Sequence, residues 1–315
     1  MNCHYQLYGL TIQSAFPLPG APKLNLSPPS FDVNLSWKPE TEWQPDRWQI
    51  TQPSLDSSRP EFGQANDGSV YLAWGDELRV VINSQRDDVC VVSRITKLKY
   101  APTVIVGFVL GYLLHLRGQL CLHGTLLALG ERTIAILGDG GAGKSTIAAA
   151  LIKNGAQLLS DDLIALSLDE EGVFVHSGCF GLRLTPNSVA ALFPEKEDFF
   201  GHVPWLNKKL WDFSIRVHES LLKERRLDVL YFLESVEQTS DVMLGPPLST
   251  SKASQRLISA WYPPENLLLL SQDRLLQIRL VASEVPLRVI RYKKNWDSLT
   301  HVVDLVTSPI NKQFA

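Results

Sequence analysis

The sequence predicts an α/β protein with a mixed-sheet core, preceded by a β-rich N-terminal domain. Three observations carry that reading. Nine of the nineteen prolines (Pro17, Pro19, Pro22, Pro28, Pro29, Pro39, Pro45, Pro53 and Pro60) fall in the first 60 residues, where they remove backbone donors and block helix interiors. Runs of β-branched residues between turn signals follow, up to about residue 98. Beyond residue 118, strand-like runs alternate with helix-like ones, the pattern of a sheet covered by helices.

Length and composition bound the rest. The 315 residues correspond to about two domains, which the composition shift divides at 1–98 and 99–315. Hydrophobic residues at 45% and charged residues at 20% supply an ordinary globular core. Thirty Lys and Arg against thirty-three Asp and Glu leave a net charge of −3, which argues against a nucleic-acid-coating role. Cys3, Cys90, Cys121 and Cys179 are scattered and form no C-x-x-C pair, so neither a zinc cage nor a disulfide framework is expected. Reduced thiols and a start (MNCHYQLYGL) without a cationic and apolar signal lead to the expectation of a cytoplasmic protein.

Taken in order, residues 1–60 read as short strands and loops, too aromatic with Trp37, Trp43 and Trp48 to be a disordered tail. Residues 70–74, 78–82 and 89–95 read as an antiparallel meander, with a turn at Gly75-Asp76. The run 101–116 (APTVIVGFVLGYLLHL) is apolar but falls short of the roughly 20 residues a membrane span needs, and it contains Thr103 and His115. A helix apolar on all sides is a buried one, so no stable membrane insertion is expected. Residues 120–129 read as one strand and 133–137 as a second, separated by the Gly130-Glu131 turn. The alanine-rich run after Lys144 favours a helix that Asn154-Gly155 stops. Residues 157–160 and 163–168 read as strand on either side of Asp161-Asp162. Residues 229–233 read as strand, 252–261 as helix, 285–292 as strand and 296–307 as a closing helix.

Chemistry concentrates in one run. Gly138, Asp139, Gly140, Gly141, Ala142, Gly143, Lys144 and Ser145, followed by Thr146, satisfy G-x-x-x-x-G-K-[ST], the phosphate-binding P-loop. Glycines let backbone N–H groups turn inward around an anion, and the helix opening near Lys144 aims its positive end at it. Lys144 would reach the β- and γ-phosphates of ATP, and the Ser145 hydroxyl would ligate Mg²⁺. Chance would place about 0.01 such matches in a chain of this length. The competing reading is a glycine-rich turn with a solvated lysine.

Other P-loop classes lack their marks here. The Asn-Lys-x-Asp clamp of a GTPase fails, because Asn207-Lys208-Lys209 is followed by Leu210, and Leu248-Ser249-Thr250-Ser251 lacks the glycines of a transporter signature. Asp161-Asp162 stands 17 residues beyond Lys144, so one helix and a short loop fit between them. Phosphoryl transfer needs one carboxylate on the metal and one facing the incoming hydroxyl, which these two can provide. Asp-Asp is also a common strand-entry pair. His123, in Leu122-His123-Gly124, is either a satisfied core histidine or a group that tunes a carboxylate brought beside it.

Together, LHG, GDGGAGKST and LLSDD resemble the catalytic domain of HPr kinase/phosphorylase and the HprK-related serine kinases, a family that shares its P-loop fold with phosphoenolpyruvate carboxykinases. The likeness covers about residues 118–170 well and 100–310 loosely, and it includes Asp139 inside the loop. It implies Asp161 as the base, Asp162 as a Mg²⁺ ligand and His123 as the partner of Asp161. The family's glutamate before Arg-Gly-Leu-Gly has no counterpart in His176-Ser177-Gly178-Cys179-Phe180-Gly181-Leu182, so the reverse phosphorylase reaction and HPr itself as acceptor are not implied. Residues 1–98 do not resemble the regulatory domain of the bacterial enzyme; HprK-related kinases that modify precursor peptides are closer. Among Lys208, Lys209, Arg183, Arg216, Arg225 and Arg226, Arg183 is the best candidate for transition-state charge because it follows the signature-like Gly-Leu.

The expected activity is therefore Mg·ATP-dependent phosphorylation of a hydroxyl, on Ser or Thr of a peptide or small protein. A small-molecule acceptor and a non-catalytic ATP-binding regulatory module are the alternatives. Residues 1–98 would recognise the acceptor, and a homo-oligomer is compatible with the sequence.

Overall fold

Proline density keeps α-helices out of the N-terminal region, where a mixed eight-stranded sheet forms with one short 3-10 turn at Glu40–Glu42. The computed structural model describes residues 2–308, apart from 26–27, 44–46, 54–59, 77, 95–100, 195–201, 204–207, 215–216, 238–241 and 263–270. Its strands are β1 (Cys3–Leu7), β2 (Leu10–Ser14), β3 (Val33–Pro39), β4 (Gln49–Gln52), β5 (Glu61–Gln64), β6 (Val70–Trp74), β7 (Leu78–Ile82) and β8 (Asp88–Ser93). They lie in the order β1-β2-β3-β8-β7-β6-β5-β4. The meander expected at 70–95 is β6-β7-β8, antiparallel throughout; residue 95 lies outside the described residues.

The apolar run folds as α1 (Ala101–Val104), a π-turn (Ile105–Val109) and α2 (Leu110–Leu116). Ala101, Ile105, Val109, Leu110, Leu113 and Leu114 are fully buried and share one hydrophobic core with Leu7, Ile12, Leu35, Leu72 and Val80 of the eight-stranded sheet. Burial against that sheet, rather than against lipid, accounts for the all-round apolarity. Among the described residues, no helix is long and apolar enough to cross a membrane.

The remaining strands form three sheets. β9 (Leu120–His123), β10 (Thr125–Leu129), β11 (Arg132–Gly138), β12 (Gln157–Ser160), β13 (Leu163–Asp169), β14 (Gly172–His176), β15 (Gly181–Leu184), β16 (His202–Val203), β17 (Lys208–Asp212), β18 (Arg225–Arg226), β19 (Val229–Ser235), β20 (Met243–Pro247) and β21 (Leu287–Tyr292) follow in chain order. A mixed six-stranded sheet runs β12-β10-β11-β19-β21-β20, with β11, β19 and β21 parallel. β18-β14-β13-β9 and β15-β17-β16 are antiparallel. The helices are α3 (Lys144–Lys153), α4 (Pro186–Leu192), α5 (Thr250–Ser259), α6 (Gln272–Glu284) and α7 (Trp296–Thr307). α3, α4 and α7 cover one face of the six-stranded sheet, while α5, α6 and the four-stranded sheet cover the other. The molecule is thus a mixed α/β protein with a strand-rich N-terminal region.

One expectation is corrected. Residues 120–129 are two strands in two sheets, broken at Gly124, and His123 therefore does not sit on the strand beside β11. A Cβ at Gly124 would lie 2.6 Å from Leu137 Cδ2 and 2.7 Å from the Ile136 carbonyl, so the chain bends where the sheets come closest. Only glycine allows that approach.

The first hairpin of the N-terminal sheet is keyed into the rest. Tyr8 and Gly9 take positive φ angles of 56° and 80° at its tip, and Tyr8 is fully buried. The Tyr8 main-chain N–H donates to Ser177 O at 2.7 Å and its hydroxyl to Val106 O at 3.1 Å. Its ring fills the space a side chain at Gly178 would need. Tyr8→Ala should therefore cost about 3–5 kcal/mol, as for other large buried aromatics. Tyr8→Phe, which loses one hydrogen bond, should cost about 1 kcal/mol. Urea denaturation of the full chain measures both; an Ala variant as stable as wild type would contradict the keyed hairpin. The same contacts predict that a chain beginning near residue 100 is insoluble, because deletion uncovers the 101–116 helix.

Candidate functional site

The glycine-rich loop lies at the carboxyl end of β11 and runs into α3, the strand–loop–helix context its sequence demands. Its turn depends on glycine at two points. Gly141 and Gly143 have φ of +80° and +94°, in the left-handed region that favours glycine, and a Cβ at Gly143 would also lie 2.6 Å from Tyr292 Oη. The loop is braced from behind: Tyr292 Oη donates to Ala142 O, and Lys294 Nζ donates to Gly141 O at 2.8 Å. Its outer face is open. Asp139, Gly140 and Gly141 are exposed, and a Cβ at Gly140 or Gly141 would meet nothing within 4 Å. A glycine cradle at a ten-residue helix's N-terminus, where parallel strands end, fits a phosphate chain.

Lys144 opens α3 and folds back over the loop, where its Nζ donates to Gly138 O at 2.7 Å and Asp139 O at 3.2 Å. Burial lowers its pKa, Asp161 opposes that shift, Lys208 adds to it and Asp139 again opposes it. Asp161 and Lys208 are thus the lysine's charged neighbours from other elements. Ser145 is half-buried in the first turn of α3. Thr146 turns away from the loop and shares a 2.9 Å hydrogen bond with Ser188 of α4.

The two aspartates, at the bend between β12 and β13, face different surroundings. Asp161 is 4% exposed. Its Oδ1 accepts from Thr125 Oγ1 at 2.7 Å, its Oδ2 from the Arg183 main-chain N–H at 3.1 Å, and its own N–H donates to Cys179 O at 3.1 Å. Asp162 has φ +68°, a left-handed conformation that aspartate tolerates better than most residues. That turn directs its carboxylate to the Arg183 guanidinium, with which it forms an ion pair. Thr125 is a residue of this corner that no motif marks; its one signal in the sequence is a hydroxyl directly after Leu-His-Gly in an otherwise apolar strand.

His123, paired across β9 and β13 with Leu163, sits at the same corner. Its Nδ1 lies 3.0 Å from the Asp162 main-chain oxygen, so the ring's hydrogen bond goes to Asp162 rather than to the Asp161 carboxylate. A carbonyl only accepts, which puts the proton on Nδ1 and leaves Nε2 as an acceptor. Burial, with Lys144 next, lowers the His123 pKa to about 4; Asp161 opposes, while Lys208 and Arg183 add to the lowering. His115, half-buried beside Trp261, is also brought to about 4 by desolvation, with Arg274 adding to the lowering. Both rings are neutral at pH 7.

Between pH 6.5 and 4 the unfolded chain binds protons at both positions and the folded chain does not. Stability is therefore present above pH 6.5 and lost as pH falls toward 4, by an amount on the order of a few kcal/mol. Thermal melts across that range should show a falling Tm, flattened in the variant His115→Gln/His123→Gln. A Tm unchanged from pH 7 to 4.5 would refute it.

Of the basic residues, Arg183 and Lys208 reach this corner. Arg225 does not: its Nε donates to Thr133 Oγ1 at 3.0 Å, at the end of β11 away from the loop, and Arg226 is next to it in β18. Lys209 lies on β17 opposite Leu184, and Arg216 lies outside the described residues.

Fold and site define a mixed α/β protein with a glycine cradle beside a paired-carboxylate corner. No family model and no curated protein matches the chain. Among solved structures, it is similar to the Hpr(Ser) kinase/phosphatase from Coxiella burnetii, with 14% identity and a TM-score of 0.32 over 62% of this chain and 99% of that one.

Proposed function

We propose that the protein is an Mg·ATP-dependent phosphotransferase whose acceptor is a hydroxyl, on Ser or Thr of a peptide or small protein. The observation that supports this most is a buried, doubly hydrogen-bonded carboxylate, Asp161, within electrostatic reach of the loop lysine. Backbone N–H groups of residues 139–143 and the Lys144 ammonium would hold the phosphates, and Ser145 with Asp162 would hold the cation. Bound Mg²⁺ supplies charge neutralisation at the β- and γ-oxygens. Asp161, fixed by Thr125 and Arg183, would take the proton from the acceptor hydroxyl. Neutral His123 adds no competing positive charge beside Lys144, and Lys208 would add charge where it builds up in transfer.

For the acceptor, strand addition to the N-terminal sheet is the favoured mode. β4 is an edge strand, its Ile50 is 55% exposed, and Trp43 and Trp48 stack on each other at 5.6 Å, both inclined against Tyr71. ATP consumption followed by intact-mass analysis of candidate acceptors, beginning with peptides encoded beside the gene, tests the proposal. The expected result is gain of one phosphoryl group by an acceptor. ATP binding with neither consumption nor mass gain on peptides or small hydroxyl compounds would instead support a non-catalytic nucleotide module.

A further inference from the structure

Arg183 touches both aspartates, by two different groups. In β15, Leu182 and Leu184 are buried against α3 and its neighbours, and period-two alternation turns Arg183 to the opposite face. Its main-chain N–H donates to Asp161 Oδ2, and its guanidinium Nη1 pairs with Asp162 Oδ2. Nη2 reaches Thr103 O at 3.5 Å, and the guanidinium lies against Gly107, where a Cβ would be 3.6 Å from Nη2. The seat is therefore built from the α1 end and the π-turn, an irregularity frequent at functional sites. Arg183 and Asp162 side chains are only 12% and 25% exposed, so solvent screens the pair weakly.

We propose that Arg183 is a positioning residue that holds Asp161 fixed through its backbone and competes with the bound cation for Asp162 through its guanidinium. This rests on the nucleotide reading above. A carboxylate engaged by a guanidinium is a poorer ligand for a divalent cation, so Asp162 turns to the cation as Arg183 releases it. The released guanidinium is then free to meet phosphoryl oxygens. Asp161 is unaffected by release, because its tie to Arg183 is through the main chain.

Arg183→Met keeps that main-chain donor and removes the guanidinium, with its charge and its hydrogen bonds to Asp162 and Thr103 O. In the full-length protein, the Mg²⁺ midpoint for binding a non-hydrolysable ATP analogue, read by calorimetry, should fall roughly fivefold or more. The transfer kcat should fall while the analogue still binds, and Arg183→Lys should restore part of both changes. A second measurement needs no nucleotide: a double-mutant cycle with Asp162→Asn on thermal stability, which should show coupling between the two side chains. An Mg²⁺ midpoint unchanged or raised in a folded Arg183→Met protein overturns the competition, and absent coupling overturns the pairing. If the wild-type protein fails to bind the Mg²⁺ complex while coupling persists, the nucleotide reading fails and takes the release step with it, leaving a structural ion pair.

Discussion

Lys144→Ala should abolish phosphoryl transfer and leave the fold intact. The lysine contributes two hydrogen bonds to loop carbonyls, but the loop does not depend on it: Tyr292 and Lys294 brace Ala142 and Gly141 independently, and Gly141 and Gly143 set the turn. Stability should therefore change by no more than about 1–3 kcal/mol. Transfer is different, because it depends on positioning and on charge at the phosphates. Loss of one such preorganised donor costs roughly 10²–10³ in rate, and a full charge costs at least as much. An ATP-consumption assay beside urea denaturation separates the two effects. Turnover at the wild-type rate would remove the basis for the phosphate-loop assignment.

Asp161→Asn should be nearly as severe for transfer and almost silent for nucleotide binding. The amide can be accommodated. Its oxygen accepts from the Arg183 N–H as Oδ2 does, and its NH₂ donates to Thr125 Oγ1, a hydroxyl able to reverse from donor to acceptor. What the amide cannot do is take a proton, and loss of a general base costs roughly 10²–10⁴ in rate. Asp161→Ala is a poorer test, since it leaves the buried N–H of Arg183 unpaired at a cost of about 1–3 kcal/mol. Single-turnover transfer with the acceptor, beside calorimetric binding of the ATP analogue, checks the expectation. Wild-type transfer by the Asn variant would make Asp161 a structural carboxylate.

Much of the fold was legible locally. The helix at 296–307, the β6-β7-β8 meander and the α3 run carry strong signals in caps, alternation and alanine content, and they form as expected. α6 carries no clear sequence signal, although Ser271 caps it by accepting from Arg274 N. Its Leu275, Leu276 and Leu280 are exposed, so the apolar stripe that normally reveals a surface helix is blurred. The break at Gly124 is not legible in the sequence, because a four-residue and a five-residue strand on either side of a glycine read as one strand until the sheet behind them is known.

The candidate site divides in the same way. The glycine-rich turn, its lysine and the adjacent aspartates are readable from the chain alone, because a turn between a strand and a helix start is written in consecutive residues. Folding is what brings Thr125 and the Arg183 backbone onto Asp161, pairs Asp162 with Arg183, bonds the His123 ring to a carbonyl and keys the N-terminal hairpin in through Tyr8. Those contacts join residues 21 to 98 positions apart in the chain. They depend on which strands meet at one corner, and strand pairing at such separations is set by the packing of whole sheets rather than by any neighbouring residue.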